Sequence, residues 1–443
     1  MIPMILQNII THTVSLTDAL MVGMLGERFL AAMPVALVPL FVVMIFTFGV
    51  QSGLGVLVSQ YWGKGNIEVI NRVLGIALYV TIAVTISVAL VLNLFPYNIL
   101  GLVTSDKGLV AIAVPYARIT SFSMALNSIS LVYLACHRSM ENPRLGAIVL
   151  SISAVFSIFW NWVLIFGNLG FPALGIQGAA ISTLCARTLE VIIISVHAFL
   201  NSRFRVKLKL LIKPGLVITR DFFKYALPVL INEAFWGIGF MMFPVIFGHM
   251  TGAQQILAAY SLSNNLDRLF AVALFASAGA AAIIVGREIG AGRKDRAKSA
   301  AKALAVLGLI LGFLSGIMLM LAQHTVLGPL VFPLYDLSGE ASHNAFIMLT
   351  IVAISLPLRA VTFSVGLGAF RGGGDVKAFM YIDVGTLYLI SLPIAAVTGL
   401  VLGLSLEIVY SSILIENVIK TAIIILRLRS GKWIHDVTRK HIS

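Results

Sequence analysis

Twelve ionisable side chains stand in stretches of this sequence that are otherwise apolar: Asp18, Arg118, Arg187, Glu190, Glu233, Asp267, Arg268, Arg359, Asp383, Glu407, Glu416 and Lys420. A charge at the centre of a bilayer costs about 2.5–3.5 kcal/mol on insertion scales, so each of these needs a partner, water or a task. Asn8, Thr11, Ser15 and Asp18 recur at spacings of three and four, which puts them on one helix face. Such a stripe either lines a cavity, where Asp18 can exchange a proton, or closes a polar seam against a neighbouring helix.

Tyr260, Asn264 and Asp267 form a second one-faced set, and Glu233 follows Pro228 and Asn232. A proline frees a helix carbonyl from its intrahelical bond. Carboxylate, amide, phenol and carbonyl oxygens are the ligands that a hard cation such as Na⁺ takes. If the two helices adjoin, as consecutive elements usually do, Glu233 and Asp267 become the metal candidates, with Asn232, Asn264 and Tyr260 beside them. Either acid alone could bind a proton instead, and a plain structural hydrogen bond is the alternative. Two close carboxylates repel, so one of them holds a proton unless a cation relieves the pair. H⁺ and Na⁺ would then compete for one site, and losses from Glu233→Gln and Asp267→Asn would not add.

The remaining charges read as structural. Arg187 and Glu190 are three apart and Glu416 and Lys420 four apart, spacings at which side chains pair. Glu407 falls at a helix end. Asp383, in the central third of its run, joins the coupling candidates, and Arg359 and Arg118 either steer cations or pair with the acids. Cys136 and Cys185 lie in apolar runs and read as packing residues, with no disulfide expected. There is no GxxxxGK[ST] loop, so ATP bound to this chain drives nothing, and there is no H-E-x-x-H or paired-cysteine spacing for a metal. No cofactor is expected beyond the coupling ion, H⁺ or Na⁺.

The elements that carry these residues follow from composition. Of 443 residues, 59% are hydrophobic and 11% charged, against roughly 25% charged in a soluble domain. A chain this apolar cannot cover itself with polar surface, which excludes a soluble protein. A spanning helix takes about 20 apolar residues. That ruler gives twelve runs: 2–26, 30–61, 73–95, 109–135, 145–166, 174–200, 224–249, 256–285, 300–323, 344–369, 378–400 and 405–426. The first run lacks a basic leader and carries Asp18, so it does not read as a signal peptide. It opens abruptly, which suggests that native residues precede Met1.

With the N-terminus inside, 24 of the 31 Lys and Arg residues fall in cytoplasmic segments, among them Arg203–Lys224, Arg287–Lys302, Arg371, Lys377 and the tail from Arg427. Only Arg28 and Lys107 fall outside. This asymmetry follows the positive-inside rule and supports an even helix number with both termini cytoplasmic. The +13 net charge is therefore a matter of topology, and no nucleic-acid partner is expected.

The chain also repeats itself. Leu30-Ala31-Ala32 recurs as Leu257-Ala258-Ala259, and Gln60-Tyr61-Trp62-Gly63-Lys64-Gly65 answers Arg287-Glu288-Ile289-Gly290-Ala291-Gly292 at the same offset of 227. Ile2-Pro3 answers Leu227-Pro228. The expected fold is thus an all-α membrane protein of twelve transmembrane helices. Its domains are an N-terminal six-helix bundle (1–200), a cytoplasmic linker (201–223), a C-terminal six-helix bundle (224–430) and a cytoplasmic tail (431–443). A pseudo-twofold along the membrane normal would relate the bundles, an arrangement that in transporters places substrate between them.

Five motifs in this order resemble the multidrug and toxic compound extrusion (MATE) family. They are Pro3 with Leu16-Thr17-Asp18-Ala19-Leu20-Met21-Val22-Gly23-Met24-Leu25-Gly26, then Gln60 to Gly65, and Phe171-Pro172-Ala173-Leu174-Gly175-Ile176-Gln177-Gly178-Ala179-Ala180. Gly286-Arg287-Glu288-Ile289-Gly290-Ala291-Gly292 and Phe370-Arg371-Gly372-Gly373-Gly374-Asp375-Val376-Lys377 follow. The resemblance implies a V-shaped pair of bundles that exports organic, often cationic, compounds in exchange for H⁺ or Na⁺. By position, Asp18 matches the family's acid in helix 1 and Glu233 resembles the helix 7 acid of its C-terminal cation site. Asn161, in Phe159-Trp160-Asn161-Trp162, stands where many members have Asp, and Arg359 and Ala360 occupy the region where some carry an acid in helix 10. These departures raise Asp267 as a substitute ligand.

The substrate cavity is expected to draw on Asn8, Thr11, Ser15, Asn161 and Arg359. The expectation is a monomeric secondary antiporter of small organic compounds, multi-pass in the lipid bilayer of a bacterial inner membrane, and not an enzyme. A flippase of lipid-linked saccharides is the rival within transport, disfavoured because the candidate charges are mainly acids. An intramembrane lipid-modifying enzyme is the rival from another class, and no converging nucleophile or metal set supports it.

Overall fold

Hydrocarbon offers a backbone no hydrogen-bond partners, so a spanning segment must bond its own N–H and C=O groups, as a helix does. The computed structural model describes residues 2–104, 106–200, 204, 206–212, 214–332 and 338–439, and all regular structure among them is helical. The long helices are α1 (Ile2–Gly23), α2 (Glu27–Leu37), α3 (Phe41–Gly63), α4 (Ile67–Leu94), α5 (Lys107–Ser139), α6 (Pro143–Phe166) and α7 (Ile176–Leu200). They continue with α8 (Leu216–Gly248), α9 (Ala253–Gly290), α10 (Lys294–Leu330), α11 (Gly339–Phe370), α12 (Val376–Val401) and α13 (Leu406–Ser430). Eleven of these, α3 to α13, are long and apolar enough to cross a membrane among the described residues. The exceptions are α2, 11 residues long, and α1, which at 22 residues has the length but carries the polar stripe.

Several boundaries differ from the sequence reading for identifiable reasons. The run 30–61 is two helices, because Pro39 has no N–H to donate and a turn forms at residues 38–40. The helix expected from 224 begins at Leu216, so residues 216–223 are helical. Pro228 therefore lies in the interior of α8, and the carbonyl it frees is that of Lys224, more than two turns into the helix. Contacts divide the chain into two compact units, Met1–Leu230 and Ile231–Lys440, and the division falls within α8.

In the first unit α5 and α6 each pack on α7, and α1 packs along α6. In the second, α9 packs on α10 and α11, and α13 packs on α11 and α12. Lipid is as apolar as a leucine, so helices associate by close van der Waals approach through small residues. On α10, Gly308, Gly312 and Gly316 recur every fourth residue and form a flat ridge against α11. A Cβ on Gly312 would lie 2.6 Å from Cα of Pro357, and one on Gly316 would lie 2.6 Å from the Ala353 carbonyl oxygen.

Among the described residues of the second unit four π-helical segments occur: Gln323–Val331, Thr362–Phe370, Leu387–Ser391 and Val397–Val401. A π turn rotates the face that follows it and is frequent at functional sites. Two of these segments start three and four residues after Arg359 and Asp383 respectively.

Residues 431–439, expected as part of a tail, fold back on the second unit. Trp433 is fully buried against Phe370, with ring centroids 5.9 Å apart. The His435 N–H donates to the Gly373 carbonyl at 2.8 Å, and Asp375 and Arg427 pair at 2.7 Å beside the same turn.

Candidate functional site

In the first unit, the packing of α1 on α6 brings Asp18 to Asn161. Nδ2 of Asn161 donates to Oδ1 of Asp18 at 2.5 Å, and Asn161 is fully buried. The amide carbonyl Oδ1 of Asn161 receives no hydrogen bond from a described group. No Lys or Arg among the described residues bonds Asp18 directly. Arg187, whose charge acts on Asp18 from α7, is bonded to Glu190, as their spacing suggested.

The rest of the helix 1 stripe is less engaged. Thr11 and Ser15 are exposed and bond back to their own helix, Thr11 Oγ1 to the Gln7 carbonyl at 2.9 Å and Ser15 Oγ to the Thr11 carbonyl at 3.1 Å. The side chain of Asn8 lies outside the described residues.

In the second unit Glu233, Asp267, Asp383 and Glu416 each contact a basic side chain. Arg371 donates to Glu233 at 2.8 Å and Arg359 donates to Asp267 at 2.6 Å. Lys420 reaches Asp383 at 2.7 Å and Glu416 at 2.6 Å. The structure thus brings Asn232 to Asp383, with Nδ2 donating to Oδ2 at 3.2 Å, and Asn264 to Tyr260 at 3.5 Å. Arg268 adds a bond to Oδ1 of Asn264 at 3.4 Å. It does not bond Glu233 to Asp267. An arginine thus stands beside each of Glu233 and Asp267. No group of three or more His, Cys, Asp or Glu residues that could hold a metal ion is found among the described residues.

Two partners were not legible as such. Arg371 counts among the loop charges in sequence, yet its side chain is 4% exposed and also lies over Phe379, 5.5 Å from the ring centroid. Lys420 and Glu416 were visible as a pair, but the third member, Asp383 on another helix, carried no signal in the spacing.

The chain has clear relatives. The MatE family model matches residues 3–163 and 228–397. The probable multidrug resistance protein NorM of Thermotoga maritima is 22% identical over 440 residues, covering 98% of this chain and 91% of that protein. The probable multidrug resistance protein YoeA of Bacillus subtilis is 25% identical over 332 residues, covering 74% and 71%. Among solved structures, the Vibrio cholerae MATE transporter VcmN in its bent form superposes with a TM-score of 0.86 at 20% identity, covering 98% of this chain and 96% of that one. A MOP superfamily transporter from Pyrococcus furiosus, described as having a binding pocket of reversed polarity, gives 0.86 at 17% identity, covering 97% and 93%.

Proposed function

From the premise that this chain belongs to the MatE family of membrane transporters, and is no enzyme, we propose that it is a secondary active antiporter. It exports amphipathic, often cationic, organic compounds in exchange for H⁺ or Na⁺ by alternating access, as a monomer in a bacterial inner membrane with both termini cytoplasmic. The multidrug resistance names of its relatives support the substrate class.

The observation that carries the coupling is the bonding of Asp18. It is a half-buried acid in a helix with the length of a span, bonded to a neutral amide and to no described cation. Neutralising it by protonation changes the charge of the first unit, whereas Glu233 and Asp267 of the second unit each sit against an arginine. An ion drives a transporter when it favours one state over the other, and a carboxylate that can lose its charge supplies such a preference.

The test is efflux of a cationic dye from proteoliposomes under an imposed H⁺ or Na⁺ gradient. Gradient-dependent export supports the antiporter. Gradient-independent scrambling of a lipid-linked saccharide would favour a flippase instead, and conversion of a lipid would favour an enzyme.

A further inference from the structure

Among the described residues of the second unit, two acids inside the helices each meet an arginine, and two others share one lysine. Glu233 has Arg371 and Asp267 has Arg359, but Asp383 and Glu416 share the single ammonium of Lys420. The three side chains are each at most a tenth exposed, so the triad buries one surplus negative charge. A charge in such a place demands a compensating ion.

A second observation sits beside it. Asn232 of α8 is 2% exposed and donates from Nδ2 to Asp383 Oδ2, while its own Oδ1 is buried and accepts nothing from a described group. The two ends of an amide are nearly isosteric, one a donor and one an acceptor. Turning it over would present Oδ1 to Asp383, which is what a protonated carboxyl needs. Asn232 can therefore serve both charge states of its neighbour without moving its backbone.

We propose that Asp383, Glu416 and Lys420 form a site for one exchangeable proton, read by Asn232, and that Lys420 acts as a tethered cation that excludes Na⁺. Binding makes one O–H bond on a carboxylate oxygen of Asp383 or Glu416, and release returns that proton to water. Two carboxylates sharing a site bind a proton more readily than either would alone. A proton adds no separate charge centre, whereas Na⁺ would have to sit beside the ammonium.

Other charges around the triad are occupied. Arg359 of α11, whose field reaches Glu416 and Tyr410, is bonded to Asp267 of α9. Glu233 of α8 is bonded to Arg371, Arg268 of α9 is exposed and on Asn264, and Asp375, just before α12, pairs with Arg427 of α13. The inference rests on the antiporter reading for the use of the proton, but not for its existence.

Infrared difference spectra of the full chain in lipid nanodiscs, taken between acid and alkaline pH, test it through the C=O stretch of protonated carboxyls. Asp383→Asn and Glu416→Gln should each remove the same single band, because either leaves one acid against one ammonium. Asp383→Glu should restore it. In the wild type, replacing choline by Na⁺ should leave the band unchanged, and Lys420→Gln should make it Na⁺-sensitive.

A band unaffected by both acid substitutions overturns the site. A wild-type band displaced by Na⁺ overturns the role of Lys420, and that measurement needs no variant to fold. Should one acid variant fail to fold, the other decides. Loss of dye efflux with the band intact would instead sink the antiporter reading and leave the proton site standing.

Discussion

The acids of this chain differ by what neutralises them. Asp18 has an amide, and Asp267 has a guanidinium. Asp18→Asn should therefore fold and insert, since Asn keeps the shape and the bond to Asn161, yet reduce gradient-driven dye efflux to that of empty liposomes. Efflux at the wild-type rate would make this acid structural. For Asp267 the expectation is energetic. Removing one member of a buried pair costs about 3–5 kcal/mol because the other is left uncompensated, while replacing both with neutral groups costs far less. Asp267→Asn and Arg359→Gln should each lower the unfolding midpoint in detergent titration, and the double variant should recover most of the loss. Additive losses would show that the pair observed at 2.6 Å has no energetic coupling.

At the scale of elements, the glycine ridge of α10 and the π segments of α11 and α12 set where the site residues meet. The ridge lets α11 lie close enough to α10 that a Cβ on Gly312 would press on the backbone of Pro357. Pro357 stands two residues before Arg359, so pressure there reaches the ion pair as well as the packing. Gly312→Leu should destabilise the protein by about 1–3 kcal/mol, the usual cost of overpacking, and should weaken efflux. Gly385→Ala on α12 is the contrast, since nothing lies within 4 Å of its Cβ position. It should be neutral or slightly stabilising, because alanine is the better helix former. Equal melting shifts for the two variants would contradict the ridge as the close contact.

At the scale of the molecule, orientation is the property to test. Ser299 and Ser338 are both exposed, Ser299 in the basic start of α10 and Ser338 capping α11 through the Ala341 N–H. In a background with Cys136 and Cys185 replaced, Ser338→Cys should react with an impermeant thiol reagent added outside intact cells, and Ser299→Cys should react only after permeabilisation. The motivation is the density of Lys and Arg from Arg287 to Lys302 against none from His324 to His343. Labelling of both positions from one side would reverse or refute the topology.

The family and the all-helical class were legible in the chain itself, because hydropathy, the five motifs and the one-sided distribution of Lys and Arg are local or additive properties that need no knowledge of contacts. Pairings at three and four residues, Arg187 with Glu190 and Glu416 with Lys420, were legible for the same reason: helix geometry alone brings them together. The partners of the other acids were not. Arg371 lies 138 residues from Glu233, Arg359 lies 92 from Asp267, and Asp383 lies 37 from Lys420. Helical periodicity says which face a residue occupies but not which helix will stand opposite, and a π turn shifts even the face. That choice belongs to the packing, where small residues such as Gly308, Gly312 and Gly316 allow one neighbour to approach, and the tertiary structure alone decides which acids keep a charge free to change.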